Sequence, residues 1–157
     1  VSEQARDTSR STVTALLSGE PVVLATHTAT EQTSRAVFTG SRSAPARNPH
    51  VDPEAARRYG FDRLLISAPE LLCVAEAPLA TAFGADWIAG GLLELTYVRP
   101  VLADTELVLH AQRAPDSTPA RLCLDLRIVA ADAAADDPPR CVGRAEVDLS
   151  SGLAAPG

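Results

Sequence analysis

His50 is the residue in this chain best matched to moving a proton near neutral pH, because a neutral imidazole can accept a proton on one nitrogen and donate from the other. It lies in the stretch Arg47-Asn48-Pro49-His50-Val51-Asp52-Pro53-Glu54, two residues ahead of a strong helix start. Asn48 can orient a reactant or hold the turn that Asn-Pro favours. Ser41 could hold a water or a substrate oxygen, but no Gly-x-Ser-x-Gly elbow supports it as a nucleophile. Asp52 and Glu54 are explained by helix capping and the helix dipole, and Glu70 by a capping box with Ser67. Asp62 and Asp86 could approach a cleft, though nothing in the sequence requires it. Arg42, Arg47, Arg57, Arg58 and Arg63 cluster on either side of the histidine, and guanidinium groups suit phosphate oxygens. Their bland alternative is a solvated face with local ion pairs. Every basic residue is Arg and none is Lys, which removes Schiff-base and lysine-base chemistry. His27 sits on an apolar, β-branched run and reads as structural or exposed rather than catalytic. Cys73, Cys123 and Cys141 are odd in number and widely spaced, so they are expected to be buried free thiols; no metal-ligand spacing is visible.

The elements that must position His50 can be read around it. Asp52 offers a side-chain acceptor to the first free N–H groups, Pro53 suits the first helical position, and Gly60 can close the helix in the left-handed conformation. Residues 1–10 lack periodicity and are expected to fray, with a short helix over Ser11–Leu17 ending near Gly19. Pro21–Ala29 reads as a strand, and Thr30 can cap a helix to Phe38. Residues 40–47 form an irregular loop. Ser67-Ala68-Pro69-Glu70 opens the longest helix, whose apolar face is Leu71, Leu72, Ala75, Leu79 and Phe83, with Gly84 ending it and Pro78 expected to kink or interrupt it. Residues 85–91 read as a turn carrying Trp87, which could line a pocket, sit in the core or make a dimer contact. Strands follow at Leu92–Val98, Glu106–Arg113, Arg121–Ala130 and Cys141–Leu149. Leu107, Leu109 and Ala111, and Leu122, Leu124, Leu126 and Ile128, alternate with polar residues as half-buried strands do. Ala133–Pro139 is an acidic loop.

Two of these stretches carry a resemblance. Asn48-Pro49-His50-Val51-Asp52, followed by Ala55-Ala56-Arg57 and Gly60-Phe61, resembles the signature of MaoC-like acyl-thioester dehydratases, an Asn-Pro-(Ile or Val)-His-x-Asp segment before a short helix. Gly91 to Thr105 is similar to that family's strand, Arg-Pro turn and following turn. The resemblance runs from about Thr28 to Ala114. It implies an α+β fold, a single hotdog domain in which a curved antiparallel sheet wraps a long central helix. The domain would span 19–150, with a partly flexible N-terminal segment at 1–18 and a flexible tail at 151–157.

The resemblance further implies an enoyl or 3-hydroxyacyl thioester as reactant, carried by coenzyme A or a carrier protein's phosphopantetheine, with no other cofactor and no metal. His50 would move the proton, and the backbone N–H of Ala68 would hold the thioester carbonyl; Ser41 and Asn48 complete the candidate site. Arg42, Arg47 and Arg58 would dock the phosphates, and Trp87 would line the acyl pocket. The chain departs from the pattern at the family's acid. Aligned through Phe38-Thr39-Gly40, its place falls on Ser41; aligned back from Asn48, it falls on Ala46; neither is a carboxylate. One residue is also missing between Pro49 and the histidine. Dehydration or hydration of such a thioester is the expected chemistry, and the missing acid suits a related conjugate addition or cyclisation, as in a bacterial polyketide pathway, where no external water needs activating. The rivals are a hotdog thioesterase and a non-catalytic acyl-binding or heterodimer subunit.

Bulk properties set the remaining bounds. The chain has 157 residues, enough for one domain with a true core. A formal charge of −6 argues against a nucleic-acid footprint. No apolar run approaches the roughly 20 residues of a membrane span, and no secretory pattern is visible, so a cytoplasmic protein is expected. A homodimer or larger even oligomer is implied by the hotdog resemblance.

Overall fold

The structure is a computed structural model; it describes residues 3–33 and 48–149, with side chains from Ser9 onward. In chain order the elements are α1 (Glu3–Ser18), β1 (Val22–Ala29), α2 (Pro53–Arg58), α3 (Ala68–Phe83), α4 (Ala85–Gly90), β2 (Leu92–Tyr97), β3 (Thr105–Arg113), β4 (Arg121–Ala130) and β5 (Cys141–Asp148). The strands form one antiparallel five-stranded sheet in the order β1-β3-β4-β5-β2.

The predicted alternation fixes which face of the sheet is apolar. Leu107, Leu109 and Ala111 on β3, Leu122, Leu124, Leu126 and Ile128 on β4, and Ala145 and Val147 on β5 are all buried. They share a single core with Leu71, Val74, Ala75, Leu79 and Phe83 of α3. A sheet with one apolar face must cover it, and here the long helix does so. This is the hotdog architecture, α+β in one domain.

Several local expectations need correction. Helix α1 begins at Glu3, well before Ser11, and carries Leu16 fully into the core. Leu72 is 41 % exposed, so the inward face of α3 uses Val74 in its place. Pro78 does not interrupt α3, which runs on to Phe83. Residues 85–90 form a helix and not a turn. Cys123 and Cys141 are buried free thiols as expected, but Cys73 is exposed. Helical residues begin after Thr30, whose hydroxyl accepts from the Thr33 N–H at 3.2 Å; the rest of that expected helix, to Phe38, lies outside the described residues.

Candidate active site

The histidine loop is held from both sides. The side-chain oxygen of Asn48 accepts the His50 N–H at 2.9 Å, and its backbone carbonyl accepts from Val51 and Asp52. Asp52 then caps α2 by accepting the Glu54 N–H at 2.9 Å. At the far end Gly60 has φ +87°, its N–H bonds to Arg57 and the Phe61 N–H reaches back to Ala56. That pair of bonds is the Schellman closure that a glycine at this position permits. Ala55 and Ala56 bury the inner side of α2 against the body of the fold.

The imidazole is oriented as well as placed. His50 Nδ1 lies 2.8 Å from the carbonyl oxygen of Leu65, and a carbonyl can only accept, so Nδ1 carries the hydrogen. In the neutral ring Nε2 then holds the lone pair, which is the form a general base needs. Leu65 is itself fixed: its N–H bonds to the Pro49 carbonyl at 3.1 Å, and it bridges Leu102. The next residue, Ile66, donates to Val101 at 2.8 Å. One short segment, 64–68, therefore joins the imidazole's partner to the start of α3.

At that start, Ala68 is the first helical residue and Pro69 the second, which has no N–H to offer. The first N–H groups of a helix lack intrahelical acceptors and carry the positive end of its dipole. Ala68 faces a cleft of about 290 Å³ lined by Leu65, Ile66, Leu71, Tyr97, Arg99 and Val101. Tyr97 donates its phenol hydrogen to the Ala68 carbonyl at 3.0 Å and so pins the first turn from the sheet side. Its pKa is raised, chiefly by burial and further by the nearby Cys141, so the phenol remains a donor across the neutral range. Sequence reasoning assigned Tyr97 no role; its place within the strand and Arg-Pro stretch was the signal available.

The remaining predicted site residues separate. Ser41, Arg42 and Arg47 lie outside the described residues. Asn48 spends its side-chain acceptor on the His50 backbone, which makes it a positioning group in this structure. Arg58 is exposed and paired with Glu54 one helical turn away at 3.3 Å. Arg63 reaches the Ala103 carbonyl at 2.8 Å, a structural bond. Trp87 is 6 % exposed, belongs to the core, and does not line the cleft. No cluster of metal-ligating side chains occurs among the described residues.

Glu70 departs most from expectation. Ser67 makes no side-chain cap, and the reciprocal box with Glu70 is not formed. The carboxylate turns inward instead, where it accepts the Thr33 hydroxyl at 2.6 Å and lies 3.8 Å from His27 Nε2. Glu70 is 7 % exposed and Ser67 2 %. In place of the local backbone N–H, Glu70 takes its hydrogen bond from Thr33, a residue distant in sequence.

No protein-family model matches the chain, and no curated protein matches it in sequence. Solved structures do match. An (R)-hydratase from A. caviae involved in PHA biosynthesis is 18 % identical, with a TM-score of 0.62 over 83 % of this chain and 94 % of that one. A MaoC-like dehydratase from Rhodospirillum rubrum is 20 % identical, TM-score 0.58, over 82 % and 89 %. The ChsH1-ChsH2 complex from Mycobacterium tuberculosis is 9 % identical, TM-score 0.65, over 83 % and 95 %. The chain is thus a hotdog-fold protein, sharing that architecture with hydratases and dehydratases at identities that speak for the fold alone. No helix among the described residues is long and apolar enough to cross a membrane.

Proposed function

We infer that this protein is a divergent MaoC-like hotdog enzyme that adds water to, or removes it from, an acyl thioester carried by coenzyme A or a carrier protein. The observation that carries the reading is the His50 ring, hydrogen-bonded through Nδ1 to Leu65, three residues before Ala68, the first residue of α3. In the dehydrating direction, His50 Nε2 takes the proton from the carbon beside the thioester. Negative charge then develops on the thioester oxygen, where the Ala68 N–H and the helix dipole stabilise it. The electron pair closes the double bond as the 3-hydroxyl takes a proton from an acid group and leaves as water, and the proton held on His50 restores that acid; hydration runs the same steps backwards. Working as a cytoplasmic dimer and without a metal or other cofactor complete the proposal. Conjugate addition of an internal hydroxyl or amine is the same chemistry with a different nucleophile.

A second reading has its own support. Neither Ser41 nor Ala46 is a carboxylate, and the ChsH1-ChsH2 structure is a complex of two different chains, so a subunit that binds acyl groups beside an intact partner fits the same fold. Mass spectrometry of reactions with crotonyl and 3-hydroxyacyl thioesters decides between them. Gain or loss of water by the purified protein, abolished in His50→Ala, is the expected result. Release of free thiol instead would mark a thioesterase. No turnover by either form, with co-purification of an active subunit, would establish the binding role.

A further inference from the structure

A buried polar cluster lies at the start of α3. Buried polar atoms are nearly always hydrogen-bonded, so a concentration of unpaired ones calls for a guest. Among the described residues, Glu70 Oε2, His27 Nε2 and Ser67 Oγ are all buried without a hydrogen-bond partner. Glu70 and Ser67 belong to one helical turn, and His27 Nε2 stops 3.8 Å from Glu70 Oε1, beyond direct hydrogen-bonding distance. Oε1 is anchored by Thr33 at 2.6 Å, which leaves Oε2 as the working oxygen. An anchored acid beside an imidazole, each with an unpaired atom, can hold a hydroxyl group and exchange a proton with it.

The backbone brings this cluster near the segment before α3 that holds His50. Ala103 donates to Leu64 at 2.8 Å and Asp104 to Ala29 at 2.6 Å, so the end of β1 lies beside the segment whose next residue holds His50. Helical side chains lean toward the N-terminus, which directs the Glu70 carboxylate to the same end.

We propose that Glu70, assisted by His27, is the second proton-handling group of this site and binds the hydroxyl of water or of a 3-hydroxyacyl chain. The proposal rests on the thioester reading above. In dehydration His50 takes the α-proton, the C–O bond breaks, and the departing hydroxyl receives the Glu70 proton and leaves as water. His50 then loses its proton and Glu70 regains one, which closes the cycle without an external reagent. His27 touches Glu70 rather than substrate and acts as a positioning residue.

Two measurements on the full chain test this. The first follows the His27 imidazole nitrogens by NMR while a 3-hydroxybutyryl thioether of pantetheine is added. The wild-type resonance is expected to shift; Glu70→Gln, and the wild type with the butyryl analogue that lacks the hydroxyl, are expected not to. A wild-type resonance that ignores the hydroxyl overturns the proposal whether or not the protein turns over. The second compares turnover of the corresponding thioester. Glu70→Gln should lower kcat by about 100-fold with little change in KM, and Glu70→Asp should recover part of it at an unchanged thermal midpoint. Unaltered kcat in Glu70→Gln removes Glu70 from the chemistry and leaves the His50 reading standing. A hydroxyl-dependent shift without turnover keeps the binding site and rejects the hydratase reading.

Discussion

At the scale of residues, the site depends on a few bonds that hold His50 and its neighbours. Asn48→Ala removes the acceptor of the His50 N–H and the loop should lose about 1 kcal/mol. If Asn48 only positions the imidazole, kcat on a crotonyl thioester should fall while the alkaline and acid limbs of the pH profile stay where they were. Asp52→Ala removes the α2 cap and should cost about 1 kcal/mol, read as a lower midpoint in urea. The buried thiol of Cys141 supplies a pH signature. Burial raises its pKa from 9.0 to about 11, so the folded state favours the neutral thiol. Its contribution is fully present below the unfolded value and is lost as pH rises through the folded one. Stability should therefore decline between about pH 9 and pH 11 through Cys141, with the raised Tyr97 phenol acting in the same direction, and Cys141→Ser should lessen that decline. The cap at Asp52, Pro53 and Gly60 was legible because all its partners lie within nine residues of one another. The Ser67–Glu70 pair was not, because Thr33 takes the carboxylate instead and its approach is a tertiary event.

At the scale of elements, packing explains what periodicity could read. Leu79 is fully buried among the α3 and sheet leucines, and Leu79→Ala should cost about 2–5 kcal/mol by denaturant unfolding. Gly143 has a different reason for its identity. A Cβ there would stand 2.4 Å from the Glu94 carbonyl oxygen and 2.5 Å from Leu95 Cδ2, so Gly143→Ala should push β2 away from β5. The loss would show as faster amide exchange along Leu92–Tyr97 before the rest of the sheet is affected. Strands β3, β4 and β5 were visible in the sequence because one face is buried throughout, which imposes a period of two. Helix α4 was missed because Gly90-Gly91 after Trp87 reads as a turn. In the fold, the bare Gly91 backbone is what lets the indole ring come close, with Trp87 carbons 2.5–2.6 Å from where a Cβ would lie.

At the scale of the molecule, the sheet ends in β1 on one side and β2 on the other, and the two edges differ. An edge strand presents unpaired N–H and C=O groups that invite another strand. On and around β2 the exposed large hydrophobic residues gather, with Ile88 82 % exposed, Leu92 50 % and Val98 47 %, interleaved with Glu94 and Thr96. On β1 the exposed large hydrophobic residue is Val23. The proposed dimer is therefore expected to form through β2, where strand pairing and apolar contact reinforce each other. Replacing Ile88 and Leu92 together with lysine puts two like charges on each copy, which a two-fold contact would bring face to face. Sedimentation equilibrium should show the wild type as a dimer and the double variant as a monomer, with far-UV circular dichroism unchanged. A double variant that stays dimeric would move the interface off β2, and a monomeric wild type would remove the dimer from the proposal. If turnover disappears along with the dimer while the fold persists, the site draws on both copies. If turnover survives in the monomer, His50 and the start of α3 suffice within one chain.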